Sequence, residues 1–141
     1  MKYVLDSSVA FKWLVVETDT DKARRLRDAY RHGIHELVSP DIFPVELGHA
    51  LTRAERQARI MPPEAARFWA DAMKTAPRLQ ASLPFTPRAI AISSQMRVSV
   101  YDCLYLALAE QEQCAFVTAD DRLVRTLQPH FPFIVPLSSL P

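Results

Sequence analysis

The sequence predicts an α/β protein built on a parallel sheet, and three observations predict it. Short apolar runs of strand length alternate with longer segments of helical period. Several of the short runs stop at an acid or a turn residue, and the long segments carry helix start and stop signals. At 141 residues, with 49% hydrophobic residues and no Gly/Ser-rich linker, the chain is expected to form one compact domain over residues 1–141.

The elements follow in order. Lys2 to Leu5 is an apolar run that ends at Asp6 and forms the first strand. Helical period then covers Ser8 to Val16 and Thr20 to His32, the second segment closing on Arg31 and His32 with Gly33 just beyond, a stop signal. Leu37 to Ser39 is the second strand. Ile42 to Arg59 is helical, with Pro44 in its first turn, where a missing N–H costs nothing, and Pro63 to Thr75 is helical after it. Leu83 to Phe85 is expected as a weak or edge strand because prolines crowd it. Pro87 to Met96 and Val100 to Gln113 are helices; Val100 to Ala109 is apolar nearly all round, which predicts a helix buried on the sheet. Ala115 to Thr118 is a central strand, Asp121 to Leu127 a helix, and Phe133 to Val135 a second edge strand. No repeat or low-complexity tract interrupts the series.

Composition narrows the function. A net charge of +1 and a pI near 7.8 give no broad basic field, so any site for a polyanion must be local. The N-terminus runs directly into the first strand and no apolar stretch reaches the ~18 residues of a membrane span, so the expectation is a cytoplasmic protein without a signal peptide or membrane partner. Cys103 and Cys114 are eleven residues apart in or beside one helix, about 16 Å at ~1.5 Å per residue, which predicts free thiols and no zinc set.

Four acids stand where such a fold builds sites. Asp6 ends the first strand and Asp120 follows Phe116-Val117-Thr118; in open parallel sheets ligands bind beyond the carboxyl ends of strands, where the strand order reverses. Glu46 lies at the edge of an apolar stripe of Phe43, Leu47, Ala50 and Ala54, and Asp102 opens the most apolar helix of the chain. Carboxylates drawn together repel by several kcal/mol at an effective dielectric near ~20, so a cluster needs protons or a cation. Hard oxygen ligands select Mg²⁺ or Mn²⁺, and the chemistry that follows is phosphodiester hydrolysis, with Ser8 and Thr118 adding hydroxyls. Each acid also has a plainer role. Asp6 and Asp120 can cap the helices that follow them, Ser99 and Asp102 fit a capping box, and Glu46 can be a solvated flank residue.

The stretches holding these acids resemble the PIN-domain family, in particular its VapC-type toxin ribonucleases. Val4-Leu5-Asp6-Ser7-Ser8-Val9-Ala10 resembles the first family motif, and Pro44-Val45-Glu46-Leu47 with His49-Ala50-Leu51 the Glu-bearing helix. Tyr101-Asp102-Cys103-Leu104-Tyr105-Leu106-Ala107-Leu108-Ala109 is the most specific match, and Phe116-Val117-Thr118-Ala119-Asp120-Asp121-Arg122-Leu123 completes the order. The resemblance implies a three-layer α/β/α fold with a parallel sheet and Mg²⁺- or Mn²⁺-dependent endoribonuclease activity. It also implies homodimerisation, inhibition by a cognate antitoxin, and a metal site of Asp6, Glu46, Asp102 and Asp120 supported by Ser8 and Thr118. Asp121 is an extra acid, and whether it joins Asp120 at the metal is open.

Other readings have less behind them. Glu46-Leu47-Gly48-His49 supplies one Glu-x-x-His pair where a di-iron bundle needs two, and His32, His35, His49 and His130 have no ligand spacing. An aspartyl-phosphate enzyme wants a second Asp where Ser8 stands, and with only Gly33 and Gly48 there is no Gly-rich phosphate loop. The alternative from another class is a non-catalytic PIN-like module that binds RNA or protein. Its contact residues would be the arginines Arg24, Arg25, Arg27 and Arg31 or Arg53, Arg56 and Arg59, or a groove of Trp13, Phe43 and Trp69 for an apolar helix. The presence of all four acids favours catalysis.

Overall fold

Strand formation follows the apolar runs. The computed structural model describes residues 1–141, in which β1 (Lys2–Leu5), β2 (Glu36–Pro40), β3 (Arg78–Gln80), β4 (Ala115–Thr118) and β5 (Ile134–Pro136) form one parallel sheet of order β3-β2-β1-β4-β5. Val4 is opposite Val38 on one side and Phe116 on the other, and Leu5 is opposite Val117. The chain leaves β1 toward β2 and β3, then returns across it to β4 and β5. The order therefore reverses between β1 and β4, and a crevice is expected beyond their carboxyl ends.

Seven helices cover the sheet: α1 (Ser7–Leu14), α2 (Thr20–Arg31), α3 (Phe43–Arg56), α4 (Glu64–Met73), α5 (Thr86–Met96), α6 (Val100–Glu112) and α7 (Asp121–Leu127). The period-two alternation of the strands divides the core. Tyr3, Leu5, Leu37 and Val117 face one way, against Val9, Phe11 and Trp13 of α1 and Phe43, Leu47 and Leu51 of α3. Val4, Val38, Phe116 and Ile134 face the other way, against Ala89 and Ile92 of α5, Leu127 of α7 and the unbroken buried run Cys103 to Ala109 of α6. That run explains the all-round apolarity of α6. The result is a three-layer α/β/α sandwich with a core on each face of the sheet, and no helix in it is long and apolar enough to cross a membrane.

Two expectations are corrected. Leu83–Phe85 is a 3-10 turn and not an edge strand: Pro84 sits in its first turn, where it owes no hydrogen bond, and Phe85 is buried in the second core. The edge strand is Arg78–Gln80, whose Arg78 and Leu79 are exposed, so it carries no apolar signal. At the opposite edge the strand runs one residue later than Phe133 to Val135 and ends at Pro136, which an edge position tolerates.

The C-terminal ends of the helices fall from zero to three residues before the expected stops, the largest difference being at α3, which ends at Arg56 rather than Arg59. Gly33, at φ 72°, closes α2 with Ile34 N–H to Ala29 and Gly33 N–H to Tyr30, the paired bonds of a Schellman cap. The same pair of bonds closes α3 around Ala58, at φ 58°, which no sequence signal marked. Cys103 and Cys114 are both free thiols.

Candidate active site

Asp6 is carried past the end of β1, where its backbone N–H bonds to Val117 O at 3.0 Å, so the ends of β1 and β4 are laced together at the reversal of strand order. Its side chain caps nothing in α1. Instead Oδ2 accepts hydrogen bonds of 2.7 Å from both Ser8 Oγ and Thr118 Oγ1. Those hydroxyl oxygens are themselves held, Ser8 Oγ by Ala119 N–H at 3.0 Å and Thr118 Oγ1 by Asp120 N–H at 3.1 Å. One oxygen of Asp6 is thereby fixed and Oδ1 has no protein partner. The residue is only 6% exposed. Burial pushes its carboxyl up to about 6; the two hydroxyls pull the other way, and the charges of Asp102 and Asp120 add to the rise.

Glu46 shows the same division of labour. The Tyr105 hydroxyl donates to Oε1 at 2.7 Å, and Tyr105 is fully buried on α6, stacked on Phe116. Burial raises the Glu46 carboxyl to about 7 against the pull of that hydrogen bond, and Asp6 and Asp102 raise it further. In the sequence Tyr105 stands inside the motif that follows Asp102. Its signal was its place one turn after Asp102 in an apolar helix, since a buried tyrosine hydroxyl needs a partner.

Asp102 sits in the first turn of α6, its N–H bonded to Ser99 Oγ at 3.2 Å, so the capping reading is realised in part. Burial raises its carboxyl; the Ser99 hydroxyl and Arg122 oppose the rise and Asp120 adds to it. Asp120 caps α7 through Oδ1, which accepts from Leu123 N–H at 3.1 Å. Capping and site roles are compatible here, because a carboxylate has a second oxygen to give. Asp121 is exposed and lines a separate small recess with Lys12, Thr18 and Ser138.

Asp6, Ser8, Glu46, Asp102 and Asp120 all line one crevice of about 500 Å³, with Thr118 buried behind them. None of the four acids makes an ion pair, while every other close carboxylate–cation contact lies outside the acidic end. The crevice continues between α1 and α3 to Lys12, Glu17, Arg53 and Arg59, with His49 between. Burial works against the Glu17 charge, but hydrogen bonds and charge from Arg59 and Lys12 outweigh it and hold that carboxyl below its ordinary value. Among the arginines of α2, Arg24 donates to Trp13 O, while Arg25 and Arg27 pair with Asp21 and Asp28. Trp13 and Phe43 are core, and Trp69 is 37% exposed beside Pro44 and Val45.

The donor set is all oxygen. Three of its carboxyls are held above their ordinary values because burial outweighs the hydroxyls that hold them and, at Asp102, the opposing charge of Arg122. Nowhere do three or more Asp, Glu, His or Cys side chains converge closely enough to grip a bare ion. Such a spread arrangement fits a hard ion like Mg²⁺, which binds through one or two carboxylates and keeps several waters.

Comparison with known proteins agrees with this architecture. Over 87 residues the chain is 37% identical to Ribonuclease VapC1 of Mycobacterium tuberculosis, in strains CDC 1551 / Oshkosh and H37Rv; the match covers 60% of this chain and 63% of the relative, somewhat less than two thirds of its length. Two solved structures share the fold. PAE2754 from Pyrobaculum aerophilum matches with a TM-score of 0.71 at 16% identity, over 99% of this chain and 94% of that one. VapBC2 from Rickettsia felis, bound to a DNA fragment from its promoter, matches with a TM-score of 0.60 at 14% identity, over 96% and 97%. The PIN domain family model matches residues 3–127, nearly the whole of the α/β/α sandwich and all four acids, and the chain therefore belongs to the PIN domain family.

Proposed function

We propose that this protein is a metal-dependent endoribonuclease, the toxin of a type II toxin–antitoxin pair, cleaving phosphodiester bonds of single-stranded or structured RNA with Mg²⁺ or Mn²⁺. One observation carries the reading: four carboxylates that make no ion pair line one crevice at the reversal of strand order, three of them with one oxygen held by a protein hydrogen bond and, at Asp6 and Asp120, the other unclaimed. The similarity to Ribonuclease VapC1 supports the choice of RNA.

Asp6, Asp102 and Asp120 are the residues that would hold the ion, with Glu46 beside them. When bound, a divalent ion supplies a more acidic water and stabilises charge developing on the phosphate. The chain's own part is positioning and proton transfer. Thr118 and Ser8 hold Asp6 Oδ2, so Asp6 meets its ligand with Oδ1 and needs little reorganisation. Glu46, with its carboxyl near 7 and Oε1 fixed by Tyr105, is placed to orient the attacking water and take its proton at the other oxygen.

The partners proposed are an RNA substrate, a cognate antitoxin and a second copy of the chain, in the cytoplasm; the last is tested by light scattering at micromolar concentration, where a monomer refutes it. The activity is tested with a labelled RNA pool and purified protein in Mg²⁺, Mn²⁺ or EDTA, alongside Asp6→Asn and Asp102→Asn. Cleavage lost in EDTA and in both variants is expected. RNA binding without cleavage would replace this reading with that of a non-catalytic binding module, and undiminished cleavage by both variants would remove the four-acid site.

A further inference from the structure

The crevice is polar in both senses: acidic at one end, cationic at the other, and one face of α3 runs its length. Glu46, His49, Arg53 and Gln57 follow one another at spacings of three, four and four residues, which places them within an arc of about 80° on the helix, and all four line the crevice. The two other cations of the rim are already engaged. Lys12 Nζ donates to Glu17 Oε1 at 3.0 Å and to Thr18 O at 2.7 Å, and Arg59 donates to Glu17 Oε2 at 2.6 Å while lying over the Phe11 ring. Arg53 makes no ion pair and no side-chain hydrogen bond, and its neighbours in the same stripe, His49 and Gln57, make none with their side chains either. Arg56, on the same helix, does not line the crevice.

We infer that Arg53 holds a phosphate of the RNA strand next to the one that is cut, and that the strand runs along the α3 face from the four acids toward the Lys12–Glu17–Arg59 cluster. This rests on the ribonuclease reading of the acidic end. Seven residues separate Glu46 from Arg53, about 10 Å along the helix axis at ~1.5 Å per residue, so the two positions serve neighbouring parts of one strand. A free guanidinium in a crevice that holds four carboxylates at one end offsets the repulsion a polyanion meets there. It also presents the planar fork of donors that suits phosphate. Lys12 and Arg59 share Glu17 and together carry a net charge of only +1, so Arg53 is the cation with its full charge to offer.

The test separates this proposal from the catalytic one. Binding of a labelled single-stranded RNA of eight nucleotides is measured by fluorescence anisotropy in EDTA over a salt series, for wild type, Arg53→Gln and Arg88→Gln. Arg88 is the control because it lies on α5, paired with Glu110, away from the crevice. Losing one phosphate contact lowers the slope of log affinity against log salt by about 0.7, or about fivefold in affinity at 0.1 M salt. That loss is expected for Arg53→Gln and not for Arg88→Gln. In Mg²⁺ or Mn²⁺, Arg53→Gln is expected to raise KM on the octanucleotide with kcat little changed. On a dinucleotide, which has a single phosphodiester, it is expected to behave as wild type. Equal slopes and affinities for Arg53→Gln and wild type, including no measurable binding by either, would overturn the assignment even if wild type cleaves RNA. A slope change in a protein that cuts nothing would leave Arg53 a phosphate contact and refute the catalytic reading instead. An equal loss on the dinucleotide would place Arg53 at the scissile phosphate and overturn the assignment to its neighbour.

Discussion

Replacing Asp6 by Asn should stabilise the metal-free protein while it abolishes cleavage. The carboxyl of Asp6 is raised from 3.8 to about 6 by burial. In the folded protein the proton is thus held up to about pH 6, whereas the unfolded chain releases it near 3.8. Folding takes up a proton between these values, so stability is full below 3.8 and is lost as the pH rises through about 6. The gap corresponds to about 3 kcal/mol at ~1.36 kcal/mol per pH unit. Asparagine has no such charge, and its amide oxygen still accepts from the Thr118 and Ser8 hydroxyls that now hold Asp6 Oδ2. At pH 8 in EDTA the variant should therefore be more stable by about 2–3 kcal/mol, or about 7 °C in Tm at roughly 3 °C per kcal/mol for a chain of this size. At pH 4 the two proteins should agree within about 1 kcal/mol. Mn²⁺ at a hundredfold its dissociation constant should raise only the wild type, by about 2.7 kcal/mol, and close the gap. The assay is thermal unfolding of both proteins across pH 4 to 8, with EDTA or Mn²⁺. A variant that is no more stable at pH 8, or a gap that does not change with pH, would refute the reasoning from buried, unpaired charge.

Further expectations concern neighbouring groups. Adding Mn²⁺ at pH 6 should release protons, because Asp6 and Glu46 are raised to about 6 and about 7 and must ionise to bind; calorimetry in buffers of different ionisation enthalpy reads the number, and no release would show that neither carboxyl meets the ion. Tyr105→Phe removes the hydrogen bond that lowers the Glu46 carboxyl, so the acidic limb of the kcat profile should move to higher pH, and an unmoved limb would take Glu46 out of the proton transfer. Thr118→Val leaves Asp120 N–H without its acceptor and Asp6 Oδ2 with one donor, at a cost of about 1–3 kcal/mol in urea unfolding and a weaker affinity for Mn²⁺. Leu108→Ala empties a fully buried position in the second core and should cost about 2–5 kcal/mol without changing metal affinity.

What was legible in the chain by itself were the features written in local pattern. The strands at Lys2–Leu5 and Ala115–Thr118, the buried helix at Val100–Glu112 and the Gly33 stop follow from apolar period and backbone chemistry, which act within a few residues. The four acids are legible in the same way, because Asp6 and Asp120 follow strands, Asp102 opens a helix, Glu46 edges an apolar stripe, and the motifs around them resemble a known family. Arg78–Gln80 was not legible, since an edge strand with two exposed residues is defined by its partner β2 and not by its own pattern. The αL stop at Ala58 has no local signal, because it depends on how the chain turns back toward Ile60 in the core, not on a glycine.

Only the tertiary structure decided how the acids are used. Thr118 and Asp6 lie 112 residues apart, yet one hydrogen bond fixes which oxygen of Asp6 is spoken for, and Tyr105 does the same for Glu46 across 59 residues. Which of the arginines is free was equally a matter of long-range packing: Arg59 meets Glu17 across 42 residues, while Arg53, two turns earlier on the same stretch of chain, meets nothing. Local sequence sets period, caps and residue chemistry. Burial, charge partners and the surplus oxygen of each carboxylate exist only once distant segments have closed around one crevice.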